Sequence, residues 1–164
     1  GFDVAEYLVH KGESSTLDPK RWMAEWGVDP PFETRGSLVK PQPEAPAREV
    51  WLLQRSAGKP GARLGKTSGW VHRATLKAKQ VKMLGGVEYL GVNDSGLKIR
   101  IDGSEQLLPV DHVVVCAGQE PRRELQAELL AAGITAHLIG GADVAAELDA
   151  KRAIDQGSRL AAAL

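Results

Sequence analysis

Val50-Trp51-Leu52-Leu53-Gln54-Arg55-Ser56-Ala57-Gly58-Lys59 opens as an unbroken apolar run and closes as a polar stretch containing glycine. Apolar residues without alternation predict a strand buried on both faces, as in a parallel sheet. In an open α/β sheet, ligands sit beyond the carboxyl ends of the strands, and Gln54 and Arg55 stand there. From Val50 to Val87 there is no Asp or Glu, whereas Arg55, Lys59, Arg63, Lys66, Arg73, Lys77, Lys79 and Lys82 are all basic. This predicts a local anion site in a chain whose formal net charge is +0. An acidic residue ending such a strand takes the ribose 2′-hydroxyl of NAD, whereas a guanidinium grips the 2′-phosphate of NADP through two charge-assisted hydrogen bonds. Arg55 occupies that position. The same residues also read as a solvated loop and the wet face of a helix.

The next segment, Ser56 to Thr67, has the composition of a phosphate-binding loop but not its spacing. Gly65-Lys66-Thr67 supplies the final triplet, yet Pro60 falls where the first glycine is required. Thr67 is expected to cap a helix over 68–79, on which His72 has no acidic partner near in sequence and reads as structural. Gln80 to Leu84 predicts a short strand and Gly85-Gly86 a turn. Three runs of near period-two alternation follow, 87–92, 96–101 and 105–110, joined by Asn93-Asp94-Ser95-Gly96 and Asp102-Gly103-Ser104. They predict a three-stranded antiparallel meander.

Beyond the meander, 111–118 predicts a buried parallel strand in which Cys116 is an inert thiol, and Ala117 and Gly118 allow backbone to approach a flat ligand. A helix is expected over 122–132 with Leu125, Leu129 and Leu130 inward. A last strand is expected over 133–141, then a helix from Asp149 to Ala163 with Ile154 and Leu160 buried. The order strand, glycines, helix start would offer N–H groups to a pyrophosphate or a ribityl chain.

On the other side, residues 1–8 predict a helix with Phe2, Ala5, Leu8 and Val9 on one face. Lys11 to Glu49 holds six prolines and one helical candidate, 17–26, where Trp22 and Trp26 share a face as a packing anchor. The rest of that segment reads as an excursion.

The bulk numbers are those of a globular α/β protein: 164 residues, 43% hydrophobic and 26% charged. The neutral balance and a pI near 7.1 argue against a nucleic-acid binder. A single cysteine excludes an internal disulfide and a self-contained thiolate cluster. No run is long enough to span a membrane and no leader is recognisable, so a cytoplasmic location is expected.

Taken together, Gly1-Phe2-Asp3-Val4-Ala5-Glu6-Tyr7-Leu8, Leu53-Gln54-Arg55 with Lys59-Pro60-Gly61, residues 64–73, Val115-Cys116-Ala117-Gly118-Gln119-Glu120-Pro121 and residues 138–154 resemble the carboxy-terminal flavin and pyridine-nucleotide region of bacterial NADPH-dependent 2,4-dienoyl-CoA reductases. These group with trimethylamine dehydrogenase and reductases like old yellow enzyme. The resemblance implies a Rossmann-like FAD/NAD(P)-binding fold in three layers, with the meander in place of a crossover helix and the first strand missing. It implies that residues 1–134 form the NAD(P)-binding domain, with an excursion at about 11–49, and that 135–164 return to the FAD domain.

Gly1 would be the last glycine of the NADPH turn, Arg55 and Lys59 would hold the 2′-phosphate, and Ala117 and Gly118 would line the cofactor. Gly141, Ala142, Asp143, Arg152 and Ala153 would lie near the flavin. The implied reaction, in fatty-acid β-oxidation, passes hydride from NADPH to FAD, then electrons through a 4Fe–4S cluster to FMN and a dienoyl-CoA. The expected partners are the remainder of the same enzyme, namely an FMN-binding barrel and the first part of the FAD domain, and an acyl-CoA, with no nucleic acid and no membrane. Catalytic groups and metal ligands are expected outside these residues, and the polypeptide alone should bind NADPH weakly because the strand and glycine turn that would hold the pyrophosphate are missing. Another flavoprotein oxidoreductase of the same architecture, or a non-catalytic α/β piece, are the alternative expectations.

Overall fold

The computed structural model describes residues 1–146 and 149–164. By compactness the chain divides into two units, Gly1–Val113 and Val114–Leu164.

The first unit is a small mixed α/β structure with a parallel pair of strands and an antiparallel sheet of three. Helix α1 spans Phe2–Val9 and α2 Pro19–Trp26. Strand β1 (Trp51–Leu53) leads through a loop to α3 (Gly69–Ala78) and back to β2 (Lys82–Leu84), which pairs parallel to β1 with Leu52 opposite Met83. The meander follows as β3 (Glu88–Asn93), β4 (Gly96–Ile101) and β5 (Ser104–Leu108).

The pleat of β1 and β2 explains why their sequences do not alternate. Val50, Leu52 and Met83 pack with Phe2, Ala5, Val9 and Leu76 of the helices. Trp51, Leu53 and Leu84 pack the other way, on Val87, Leu97, Ile99 and Leu108 of the meander. Leu76 and Ile99, each 0% exposed, are the centres of the two clusters. Truncating either to Ala would cost about 2–5 kcal/mol. Val50 O accepts from Lys82 N and Gln54 N donates to Leu84 O, both at 3.0 Å. The peptide groups of Trp51 and Leu53 therefore face away from β2, and among the described residues no strand pairs with them.

The turns form for local reasons. Asp102 and Gly103 both have positive φ (49° and 79°), as a two-residue turn matching the twist of β4 and β5 requires. Asn93 Oδ1 accepts from Ser95 N at 2.9 Å at the preceding turn. The 11–49 segment also has its own order. The Asp18 carboxylate caps α2 through Lys20 N and Arg21 N, and Gly27 stops it at φ 73° where any Cβ would strike Val39 O. Trp22 and Trp26 stack obliquely with ring centroids 6.2 Å apart. Ala47 N donates to Val9 O at 2.9 Å, which returns the segment to α1.

The chain beyond the meander corrects several expectations. Residues 111–118 form no strand and are exposed throughout, Val115 to 80%. A strand exists only through a neighbour, and none of the described residues pairs with this stretch. Cys116 is accordingly exposed, not buried. The strand expected over 133–141 is absent as well; only a 3-10 turn, Gly140–Ala142, forms there. Helix α4 spans Glu124–Ala131, with Leu125 and Leu130 exposed, not inward. Helix α5 forms as Ala150–Ala163, but Ile154 on it is exposed. No described helix is long and apolar enough to cross a membrane.

Candidate functional site

The loop leaving β1 is fixed at both ends. At its start, Gln54 Nε2 donates to Ser56 O at 3.0 Å, and Gly86 N donates to the same carbonyl at 2.9 Å. A Cβ on Gly85 would stand 2.0 Å from Gly58 O, so only glycine lets the turn after β2 lie this close to the loop. At its far end, Gly61 has φ 76°, a Cβ there would overlap the Phe2 ring, and its carbonyl accepts from Arg73 Nη1 at 2.8 Å. Phe2 directly follows Gly1, which lies outside the first turn of α1, so the contact with Gly61 sets the start of that helix beside the loop carrying Lys59. Arg55 and Lys59 are both exposed on this loop, and neither enters an ion pair among the described residues.

Several of the eight basic residues are engaged inside the fold, which narrows the local anion site expected from their run in the sequence. Lys79 Nζ lies 2.7 Å from Glu25 Oε1. Lys82 pairs with Glu49 and sits 4.3 Å from the centroid of the Trp51 ring. Hydrogen bonding and charge from Lys82 hold the Glu49 carboxyl below its ordinary range. With Arg73 bonded to Gly61 O, three of the cations are used inside the fold. The cap expected of Thr67 also fails: Ser68 is the residue before α3, and no side chain caps it.

One pairing escaped the sequence reading. His72 Nδ1 lies 2.7 Å from Glu6 Oε1, 66 positions away in the chain. Periodicity places Glu6 on α1 and His72 on α3 but does not show that the two helices pack together.

In the second unit the turn Gly140–Ala142 lies on α5. Gly140 N donates to Gln156 Oε1 at 2.7 Å, and Gln156 Nε2 donates to Asp143 Oδ2 at 2.8 Å. The position a Cβ would take on Gly140 is 3.6 Å from Ala153 Cβ. Arg152 donates through Nη2 to Val144 O, while its buried Nε has no hydrogen-bond partner among the described residues. Arg123 holds the carbonyls of Ala142 (2.7 Å from Nε) and Asp143. Thus Gly141, Ala142, Asp143, Arg152 and Ala153 come together. Ala117 and Gly118 stand on the exposed stretch before them, Gly118 at φ 113°, and Gln119, Glu120 and Arg122 line a shallow depression with Gly141 and Ala142.

The start of α5 does not offer what was expected of it. Asp149 Oδ1 already accepts from Arg152 N at 2.7 Å, which puts a carboxylate where a phosphate would bind. No family model matches the chain.

Proposed function

We propose that this chain is a nucleotide-cofactor-binding part of an NADPH-dependent flavin oxidoreductase, of the 2,4-dienoyl-CoA reductase kind that its motifs resemble. The observation that carries the reading is the pair Arg55 and Lys59, two exposed cations on a glycine-clamped loop at the carboxyl end of a parallel strand. A phosphate ester fits such a site: the guanidinium supplies a planar fork of donors, the ammonium a second charge, and the loop is already ordered. The start of α1 beside that loop adds N–H groups from its first turn.

For the flavin the fit is narrower. The N–H groups of Gly141 and Ala142, in the first turn of a 3-10 segment, have no partner within that turn. They are the donors we assign to a phosphate or ribityl oxygen, while α5 serves as the support behind them. Bound NADPH would supply hydride and FAD would accept it. The residues of this chain bind and orient; the proposal gives them no part in protonating or holding an acyl-CoA.

Competition binding tests the reading. The intrinsic tryptophan fluorescence should respond to 2′,5′-ADP, and 5′-ADP should bind at least about tenfold more weakly, because the second phosphate engages a charge-assisted site. Equal affinity for the two nucleotides, or no response to either at millimolar concentration, would remove the phosphate site.

A further inference from the structure

We propose that Asp3, Glu6 and His72 form a site for one divalent transition-metal ion of the Zn2+ type, stapling α1 to α3. Asp3 and Glu6 are three apart on α1 and so share a face. The packing of Ala5 and Val9 with Leu76 holds α3 against that face and brings His72 to it. One ligand atom from each residue lies within 4.8 Å of the other two. Glu6 and His72 are partly shielded, with side chains 30% and 35% exposed, and Asp3 is open to solvent.

The donor set selects the ion class. One imidazole nitrogen with two carboxylates suits Zn2+, Co2+ or Ni2+, whereas Ca2+ and Mg2+ prefer oxygen alone. Tetrahedral bonds of about 2.0–2.1 Å put neighbouring ligand atoms about 3.3 Å apart. His72 Nδ1 and Glu6 Oε1, now 2.7 Å apart, would separate by roughly half an ångström. The Asp3 carboxylate would turn inward, a rotamer change on an exposed side chain. The ion would join the two helices whose Phe2 and Arg73 hold the loop at Gly61.

The test uses protein stripped with a chelator and no nucleotide, so its outcome is separate from that of the phosphate site. Co2+ titration followed by visible absorption should give one tetrahedral ion per chain, and Zn2+ should bind by calorimetry with the same stoichiometry. Asp3→Asn leaves the Glu6 to His72 hydrogen bond intact and should weaken Zn2+ at least about tenfold while the metal-free protein keeps its far-UV spectrum. His72→Gln should abolish the Co2+ band. Wild-type affinity in both variants, an intense near-ultraviolet thiolate band from Cys116, or no Co2+ binding at 1 mM would each overturn the proposal.

Discussion

The Lys79 ammonium lies 2.7 Å from the Glu25 carboxylate with both side chains largely shielded, 9% and 16% exposed, so the end of α3 is tied to α2 by a desolvated ion pair. Replacing Lys79 alone leaves a carboxylate stranded in that environment. Lys79→Met is expected to lower unfolding stability by about 3 kcal/mol, while the double variant Lys79→Met with Glu25→Leu should recover most of the loss. Urea unfolding of the two single variants and the double gives the coupling directly. A double variant as unstable as the sum of its parts would show that the pair is not the source of the loss.

The same pair sets an acid limb to stability. Burial pushes the Glu25 carboxyl up, but hydrogen bonds from Lys79 and Ser15 and the charges of Lys79 and Arg21 outweigh it, leaving the group below its ordinary value. A carboxyl depressed in the folded state stabilises it fully above the unfolded value, near pH 4.3, and that contribution is lost as pH falls through the folded value. The urea midpoint of the wild type should therefore drop on acidification from about pH 5 to pH 3, and Glu25→Gln should drop less steeply over the same window. Parallel curves would assign the acid limb to other carboxylates.

What could be read in the sequence was what local pattern determines. The period-two runs fixed the meander, and Asp102-Gly103 fixed its second turn. Val50 to Leu53 announced burial on two faces because a strand between helices and a second sheet needs apolar residues on both sides. The strands expected over 111–118 and 133–141 failed because a run such as Val113-Val114-Val115 records only a preference; a strand also needs a neighbour, which no local pattern supplies. Lys79 and Lys82 were legible as cations but not as ion-pair partners, since Glu25 and Glu49 reach them from a segment that sequence left without a path. Arg55 and Lys59 differ from them in being exposed and in entering no ion pair among the described residues, a fact of tertiary structure.

At the loop, the decisive contact is backbone against backbone. Gly85→Ala places a methyl group 2.0 Å from Gly58 O, and no side-chain rotamer relieves it. The loop must move, at a cost of roughly 1–3 kcal/mol. Gly91→Ala is the control, because a Cβ there meets nothing within 4 Å and should change stability by less than about 0.5 kcal/mol. Thermal unfolding separates the two. If Gly85→Ala melts with the wild type, the clamp between the β2 turn and the β1 loop is not a constraint.

In the second unit, Gln156 is the residue that holds the glycine turn. Gln156→Ala deprives the buried Gly140 N–H of its acceptor and Asp143 of a donor, a loss of roughly 1–3 kcal/mol in local stability. Hydrogen exchange at the Gly140 amide is the direct readout, expected to speed up by about tenfold or more. Protection unchanged in the variant would mean the turn is held by Arg123 and not by α5.

Arg55 decides between the phosphate reading and ordinary surface charge. In the proposed role its guanidinium meets a dianionic phosphate that NADPH carries and NADH lacks, so Arg55→Ala should weaken NADPH by roughly 10- to 100-fold and NADH by less than about threefold. Arg55→Lys keeps the charge but not the planar fork, and should fall between wild type and the alanine variant. Lys59→Ala should act in the same direction with a smaller effect, as loss of a point charge. Raising the salt concentration from about 0.05 to 0.5 M should narrow the NADPH preference in the wild type and leave it nearly flat in Arg55→Ala. Equal losses for both nucleotides in Arg55→Ala would instead make Arg55 a support of the β1 loop, with the 2′-phosphate held elsewhere or not at all.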